Sequence, residues 1–480
     1  MDNYGHRGTK IARNTLMLYV RMLVLMLVGL YTSRVVLGAL GEDDFGVYNV
    51  VGGVVSMFTI ISGALNSAVS RFITFEMGKG SDAQLNKVYS TAVTIQLILA
   101  AVVVLLAEPL GLWFIDNKMT IDPSRIPAAR WVLHFSLLAF VINLMSVPQM
   151  ASITAHEHMS AYAYIGILDG LLRLGVAFII LHSPIDRLIY YAALMAGVVL
   201  IVRLAYGLYC RLHFEECRYR PVFDRPLIKE MFSFAGWNFI GVTSGVLRDH
   251  GGNILVNLFS GPAVNAARGV AVQLNGAVQG FVTNFMTAVN PQITKSYAAG
   301  EKEYMFSLVR RSSRMSFFLL FLIALPVIFN ADYLLSIWLK EVPEHSSLFV
   351  QLFLIFALSE SFSNPMITAM LATGNIRNYQ LVVGGIQLLN LPVSYVCLRM
   401  GAVPEVTVIV AIIISQICMW ARLLMLSKAT GFPVLPFLEE VYFSVLFKVV
   451  CGSLVVPLIL EAVKPGGFSG VMVSASVCSL

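Results

Sequence analysis

Three arginines, Arg34, Arg71 and Arg248, stand inside stretches that are otherwise Val, Ile, Leu, Phe, Met and Ala. A charge at bilayer depth costs about 2.5–3.5 kcal/mol or more, so such residues persist where they pair or act. A guanidinium is a planar, permanently charged fork that matches the oxygens of carboxylates and phosphates. The chemistry open to these three is therefore anion binding, or structural pairing with a carboxylate or carbonyl. Arg248 has the richest surroundings: Asn238, Gly245, Asp249, Asn253 and Asn257 share a helical face beside a Gly-Gly pair. Adjacent helical positions point about 100° apart, so Asp249 is expected to be a poor partner for Arg248. Asp249 and Glu360 are the candidate groups for coupling to a proton or sodium ion. Glu360 sits among Ser359, Ser361, Ser363 and Asn364, which also suits a hydrogen-bonded structural carboxylate. Asp169 and Arg173 have the i,i+4 order of an intrahelical ion pair. Arg203 and Lys448 lie near span ends, where they can snorkel.

These charges need helices to hold them, and two segments 220 residues apart carry the same pattern. Asn49, Gly53, Ser56, Thr59, Gly63, Ser67, Ser70 and Thr74 recur every three or four residues in the first, with Asn66 close by. Gly269, Gln273, Gly276, Gln279, Thr283, Thr287, Asn290 and Thr294 do so in the second. That spacing places each set on one helical face, with apolar residues elsewhere. In a membrane a polar, small-residue stripe meets a neighbouring helix or a water-filled cavity.

The composition agrees with a membrane protein. Of 480 residues, 58% are apolar and 12% charged, against about 45–50% and about 25% in ordinary soluble domains. At roughly 20 residues per crossing, spans are predicted near 14–40, 47–74, 88–115, 128–154, 161–182 and 188–210. A second six lie near 231–258, 264–292, 315–339, 347–372, 379–399 and 405–427, then 441–460 and a short tail, 468–480. The tail is too short to cross, as a partial helix or a truncation would be. No cleavable signal peptide is expected. The six cysteines are scattered and read as apolar fillers.

Loop charges predict a cytoplasmic N-terminus. That side collects 18 basic residues, Arg422 among them, and the opposite side 8, including Arg268. The net charge of +6 then reflects topology, and no nucleic-acid partner is expected. Further matches (Ala68-Val69 with Ala288-Val289, Gly80 with Gly300, Pro148 and Tyr162 with Pro365 and Tyr379) extend the repeat. The fold class is all-α polytopic: two six-helix halves related by a pseudo-two-fold axis along the membrane normal. The halves are residues 1–212 and 230–428, joined by a basic cytoplasmic linker, 213–229, with 429–480 as additional membrane segments.

The run Asn14–Lys79, with Gly38-Ala39-Leu40-Gly41 and Phe45-Gly46-Val47-Tyr48-Asn49, resembles bacterial polysaccharide transporters, and so does Ala288-Val289-Asn290-Pro291-Gln292-Ile293-Thr294. These are the O-antigen-type (Wzx-like) lipid-linked oligosaccharide flippases of the MOP superfamily, whose fold MATE multidrug exporters share. The resemblance covers roughly residues 10–430 and implies transport of an undecaprenyl-pyrophosphate-linked sugar across the bacterial inner membrane without covalent chemistry. Membrane lipids, and a glycan polymerase or glycosyltransferases, are the implied partners. On this reading Arg248, Arg34 and Arg71 bind the pyrophosphate. Asn49, Ser56, Thr59, Asn66, Ser70, Asn253, Gln273, Gln279, Thr283 and Asn290 line a cavity between spans 1, 2, 7 and 8 that opens alternately to each side.

Other classes fit less well. His156-Glu157-His158 lacks a third ligand and is not a zincin motif, so no metal is expected. There is no Walker A sequence, catalytic triad or large hydrophilic region, so no cofactor and no enzyme activity are expected. A cation-coupled multidrug exporter is the alternative, although the first two spans carry no Asp or Glu between Arg13 and Glu42 or between Val47 and Phe75. A membrane-embedded glycosyltransferase or polymerase is a third reading, disfavoured by the short connections.

Overall fold

The computed structural model describes residues 2–449 apart from Met57, Thr120 and Lys340. Most of the predicted segment 441–460 and the whole tail 468–480 lie outside the described residues. Every regular element among the described residues is helical. Nine of these helices, counted with their short continuations, are long and apolar enough to cross a membrane. The predicted spans 231–258 and 264–292 are helical but not among the nine, nor is 47–74, whose described residues divide between two helices, 47–56 and 59–74. They are the segments whose polar residues lower their hydropathy.

The chain divides into two compact units, Met1–Phe239 and Ile240–Leu480. The division lies ten residues beyond the expected linker, inside a helix. The first unit contains α1 (Asp2–Ser56), α2 (Thr59–Lys79), α3 (Asp82–Asn117), α4 (Ile126–Ala155), α5 (Met159–Ile179), α6 (Arg187–His213) and the start of α7 (Arg225–Ala298). Helix α4 is its hub, packing on α2, α3 and α6, while α1 lies along α5. Small residues make this close: Ala128 and Ala129 on α4 and Ala107 on α3 are all buried. The second unit holds the rest of α7, α8 (Lys302–Phe329), α9 (Ala331–Trp338), α10 (Ser346–Ser361), α11 (Ser363–Ala372), α12 (Arg377–Leu388), α13 (Asn390–Arg399), α14 (Val406–Thr430) and α15 (Val434–Phe437). Here α14 is the hub, touching α10, α11, α12 and α13. Two predicted spans are each a pair of helices, interrupted at Phe362 and Leu389. Pro365 and Pro392 follow three residues later, where a missing amide and a bulky ring disrupt the preceding turn.

The backbone repeats the sequence pattern. Gly41 (φ 79°, ψ 171°) bends α1, and Gly261 (φ 82°, ψ 177°), 220 positions later, bends α7. That region of conformational space is open essentially to glycine alone, so a side chain at either position is strained. Gly80 and Gly300 match at the same offset as left-handed turns, and Glu157 (φ 61°) corresponds to Gly374 (φ 78°). Glu157 tolerates the conformation because its buried carboxylate meets Lys10 Nζ at 3.0 Å and its carbonyl accepts from Asn14 at 3.3 Å. Near the Gly41 bend, Arg125 holds Asp44 and lies 2.5 Å from Asp186. Burial alone pushes the Asp186 carboxyl up, but Arg125 and two backbone amides outweigh it and hold it below the ordinary range.

Candidate functional site

The Gly261 bend turns α7 into two arms that run back along each other. Asn253 and Asp249 are 15 and 19 residues from Arg268, or about 22 and 28 Å along a straight helix. Yet Arg268 hydrogen-bonds the Asn253 side chain, and its Nη2 donates to the Asp249 carbonyl at 3.3 Å. The guanidinium also lies 5.3 Å from the Phe353 ring centre and fills the space that the missing Cβ of Gly252 leaves. Arg268 is buried, only 4% exposed. Its assignment to an external loop was wrong: Pro262 opens the second arm, a common first helical residue, so Arg268 stands two turns inside. Arg422, assigned to the cytoplasmic loops, is likewise buried in α14, its Nη1 3.8 Å from Glu360. Removing one charge from each side leaves 17 basic residues against 7, the same direction of bias.

Between the two arms, away from the bend, the second unit holds a cavity of about 90 Å³. Arg248 of the first arm, Gln279 and Thr283 of the second, Glu360 and Ser361 of α10 and Asn364 of α11 give it a polar wall. Val282, Leu320, Phe356 and Ala357 complete it. The i, i+3, i+4 spacing of Gln279, Val282 and Thr283 puts them on one face. The Arg248 guanidinium stacks over the Phe356 ring at 4.8 Å. Its expected freedom from Asp249 is overturned: Nε donates to Oδ1 at 2.9 Å and Nη2 reaches Oδ2 at 3.5 Å. The 100° rule describes Cβ directions, and three methylenes let a guanidinium curl across that angle. The Asp249 side chain is 60% exposed against 18% for Arg248, so the open carboxylate can give way to a better-placed anion.

Four predicted residues therefore meet at one cavity: Arg248, Gln279, Thr283 and Glu360, with Asp249 attached through Arg248. The others do not. Asn253 is occupied by Arg268, and Asn290 accepts from Thr368 at 2.8 Å. Gln273 is exposed. In the first unit Asn49 caps back onto the Phe45 carbonyl at 2.9 Å, and Ser70 contacts Asn66 at 3.5 Å. Ser56 and Thr59 flank the interruption at 57–58; their side chains lie outside the described residues. Arg34 is exposed at the end of an apolar stripe, Leu16, Val20, Leu23, Leu27 and Leu30. Arg71 is buried among Phe72, Phe75 and Phe234, its guanidinium 4.3–5.7 Å from their ring centres. Arg173 and Asp169 form their expected pair at 2.9 Å. The cavity wall thus carries one guanidinium, Arg248, and one carboxylate, Glu360; behind it Asp249 pairs with Arg248, Arg422 faces Glu360 and Arg268 binds the Asp249 carbonyl.

The sequence model of the polysaccharide biosynthesis protein family matches residues 11–297, more than half of the chain. The chain belongs to that family. It is a multi-pass membrane protein, and the MatE model matches residues 252–396 of its second half. A curated relative, the uncharacterized membrane protein EpsK of Bacillus subtilis (strain 168), is 20% identical over 319 residues. That match covers 66% of this chain and 63% of EpsK, so the chain spans under two thirds of the relative's length. Among solved structures, MATE in the straight conformation superposes with a TM-score of 0.77 at 12% identity, covering 88% of this chain and 96% of that one. A MOP superfamily transporter from Pyrococcus furiosus, described as having a binding pocket of reverse polarity, gives 0.73 at 11% identity, covering 88% and 96%. At these identities the likeness establishes the all-α fold.

Proposed function

We propose that this protein is a flippase that carries an undecaprenyl-pyrophosphate-linked oligosaccharide across the bacterial inner membrane, from a cytoplasmic-side N-terminus, by alternating access. The observation that carries the reading is the Arg248 cavity: a half-buried guanidinium on a wall of amide and hydroxyl groups, held by an exposed, displaceable carboxylate. A diphosphate has the charge and bidentate geometry to take Arg248 from Asp249. Gln279, Thr283, Ser361 and Asn364 offer sugar hydroxyls uncharged partners. Arg34 remains a candidate headgroup contact in the first unit. Arg71, surrounded by phenylalanine rings, is a weaker one.

The multidrug-exporter alternative has one observation behind it, the two carboxylates, Glu360 in the cavity wall and Asp249 behind it. A cation site needs a carboxylate free to bind, and here Asp249 holds Arg248 while Glu360 faces Arg422. With guanidiniums in excess, the region favours anions. Asp249 and Glu360 are also the groups through which a proton or sodium gradient would act. Association with a glycan polymerase or glycosyltransferases belongs to the same proposal.

The two readings separate in cells. Deleting the gene is expected to remove the surface glycan and to leave its lipid-linked precursor accumulating on the cytoplasmic leaflet, with restoration by the intact gene. Unchanged glycan, together with raised resistance to cationic drugs on overexpression, contradicts the flippase.

A further inference from the structure

The segment after α6 runs back along α3. Asn86 Nδ2 donates to the carbonyls of Glu216 and Arg218 at 2.8 and 2.9 Å. Ser90 Oγ accepts from the Arg220 amide at 3.1 Å, and the Tyr219 hydroxyl meets Thr94 Oγ1 at 3.3 Å. Asp224 then returns to Lys87. Asn86, Ser90 and Thr94 are one helical turn apart, so a single polar face of α3 binds one side of the loop.

The tip of this loop lies at the edge of the apolar belt. Large exposed hydrophobics on α3 begin at Leu97, one turn after Thr94, and run through Leu105 and Leu110 to Trp113. That stretch rises about 24 Å, close to a hydrocarbon core of about 30 Å. On α6 the exposed belt ends at Leu212, which is 71% exposed just before the loop. On the loop's outer side Arg218 and Arg220 are exposed, with Phe223 69% exposed beyond them; Tyr219, tied to Thr94 through its hydroxyl, keeps its ring 46% exposed between them. Among the described residues neither arginine has an ion-pair partner. Two guanidiniums at headgroup depth, flanking an aromatic anchor and backed by apolar surface, match a phosphodiester attached to acyl chains.

We propose that Arg218, Tyr219, Arg220 and Phe223 form a binding site for an anionic phospholipid, with the headgroup phosphate between the two guanidiniums and an acyl chain against Phe223 and Leu212. The site uses the membrane placement of the family but not the identity of the cargo, so it stands or falls separately from flippase activity. Its role would be to anchor the connection between α6 and α7 to the bilayer surface.

The test is a lipid titration of delipidated, full-length protein in detergent, followed by native mass spectrometry. The first phosphatidylglycerol is expected to bind more tightly than phosphatidylcholine of the same acyl chains. The double variant R218Q/R220Q should lose phosphatidylglycerol affinity roughly 20–30-fold, since each surface basic residue contributes about fivefold, and should leave phosphatidylcholine unchanged. R218K/R220K should keep most of the preference, because the charge survives. If the double variant cannot be purified, each single glutamine substitution should lose about fivefold. No preference in the wild type, or a preference that survives neutralisation, overturns the proposal. Displacement of the lipid by millimolar inorganic pyrophosphate also overturns it, because the site would then be a soluble-anion pocket.

Discussion

Replacing Arg248 with alanine is expected to leave the protein folded and in the membrane while surface-glycan export falls at least tenfold. Arg248 packs on Phe356 and, among the described residues, its ion pair is with an exposed aspartate, while Glu360 keeps Arg422 at 3.8 Å when Arg248 is removed. Charge-assisted hydrogen bonds to a phosphate group contribute about 1.5–3 kcal/mol, which converts to roughly 10–100-fold in affinity for the headgroup. Arg248→Lys should retain a fraction, since the charge persists without the bidentate fork. Asp249→Asn, which removes the internal competitor, should raise headgroup affinity. Membrane abundance and melting temperature, measured beside export, separate the outcomes. A variant that exports normally, or one that disappears from the membrane, identifies Arg248 as a structural residue.

Arg268→Ala should behave in the opposite way, losing the protein before the transport. Its guanidinium joins the two arms of α7 through Asn253 and the Asp249 carbonyl. Truncation leaves those acceptors without their donor and a void beside Gly252, at a cost of about 2–4 kcal/mol. A lower melting temperature and reduced membrane abundance are expected, with Arg268→Lys intermediate. A wild-type melting temperature combined with lost export would move Arg268 from the scaffold into the cargo site.

The helical architecture was legible because bilayer physics demands long apolar segments, and the repeat was legible because it recurs at a fixed offset. That offset marked the backbone too: Gly41 and Gly261 bend their helices 220 positions apart. The cavity was legible in part. Gln279 and Thr283 stood out through their helical spacing, Arg248 and Glu360 through the cost of charge inside a span. Tertiary distances were not. Sequence spacing discouraged an Arg248–Asp249 pair that side-chain length permits. It also left Arg268 in a loop, although Pro262 signalled that the second arm had already begun. Arg71 illustrates the converse, since nothing in the local pattern announced that Phe234, more than 160 residues away, would close over it.

The central claim is that an anionic lipid headgroup, rather than an organic cation, is the cargo. Proteoliposomes containing the purified protein test it most directly, with a fluorescent polyprenyl-pyrophosphate oligosaccharide as substrate and accessibility of the sugar to an external reagent as readout. The expected result is protein-dependent translocation that a soluble diphosphate inhibits and a lipophilic organic cation does not. Translocation no faster than in protein-free liposomes, with the organic cation transported instead, would contradict it.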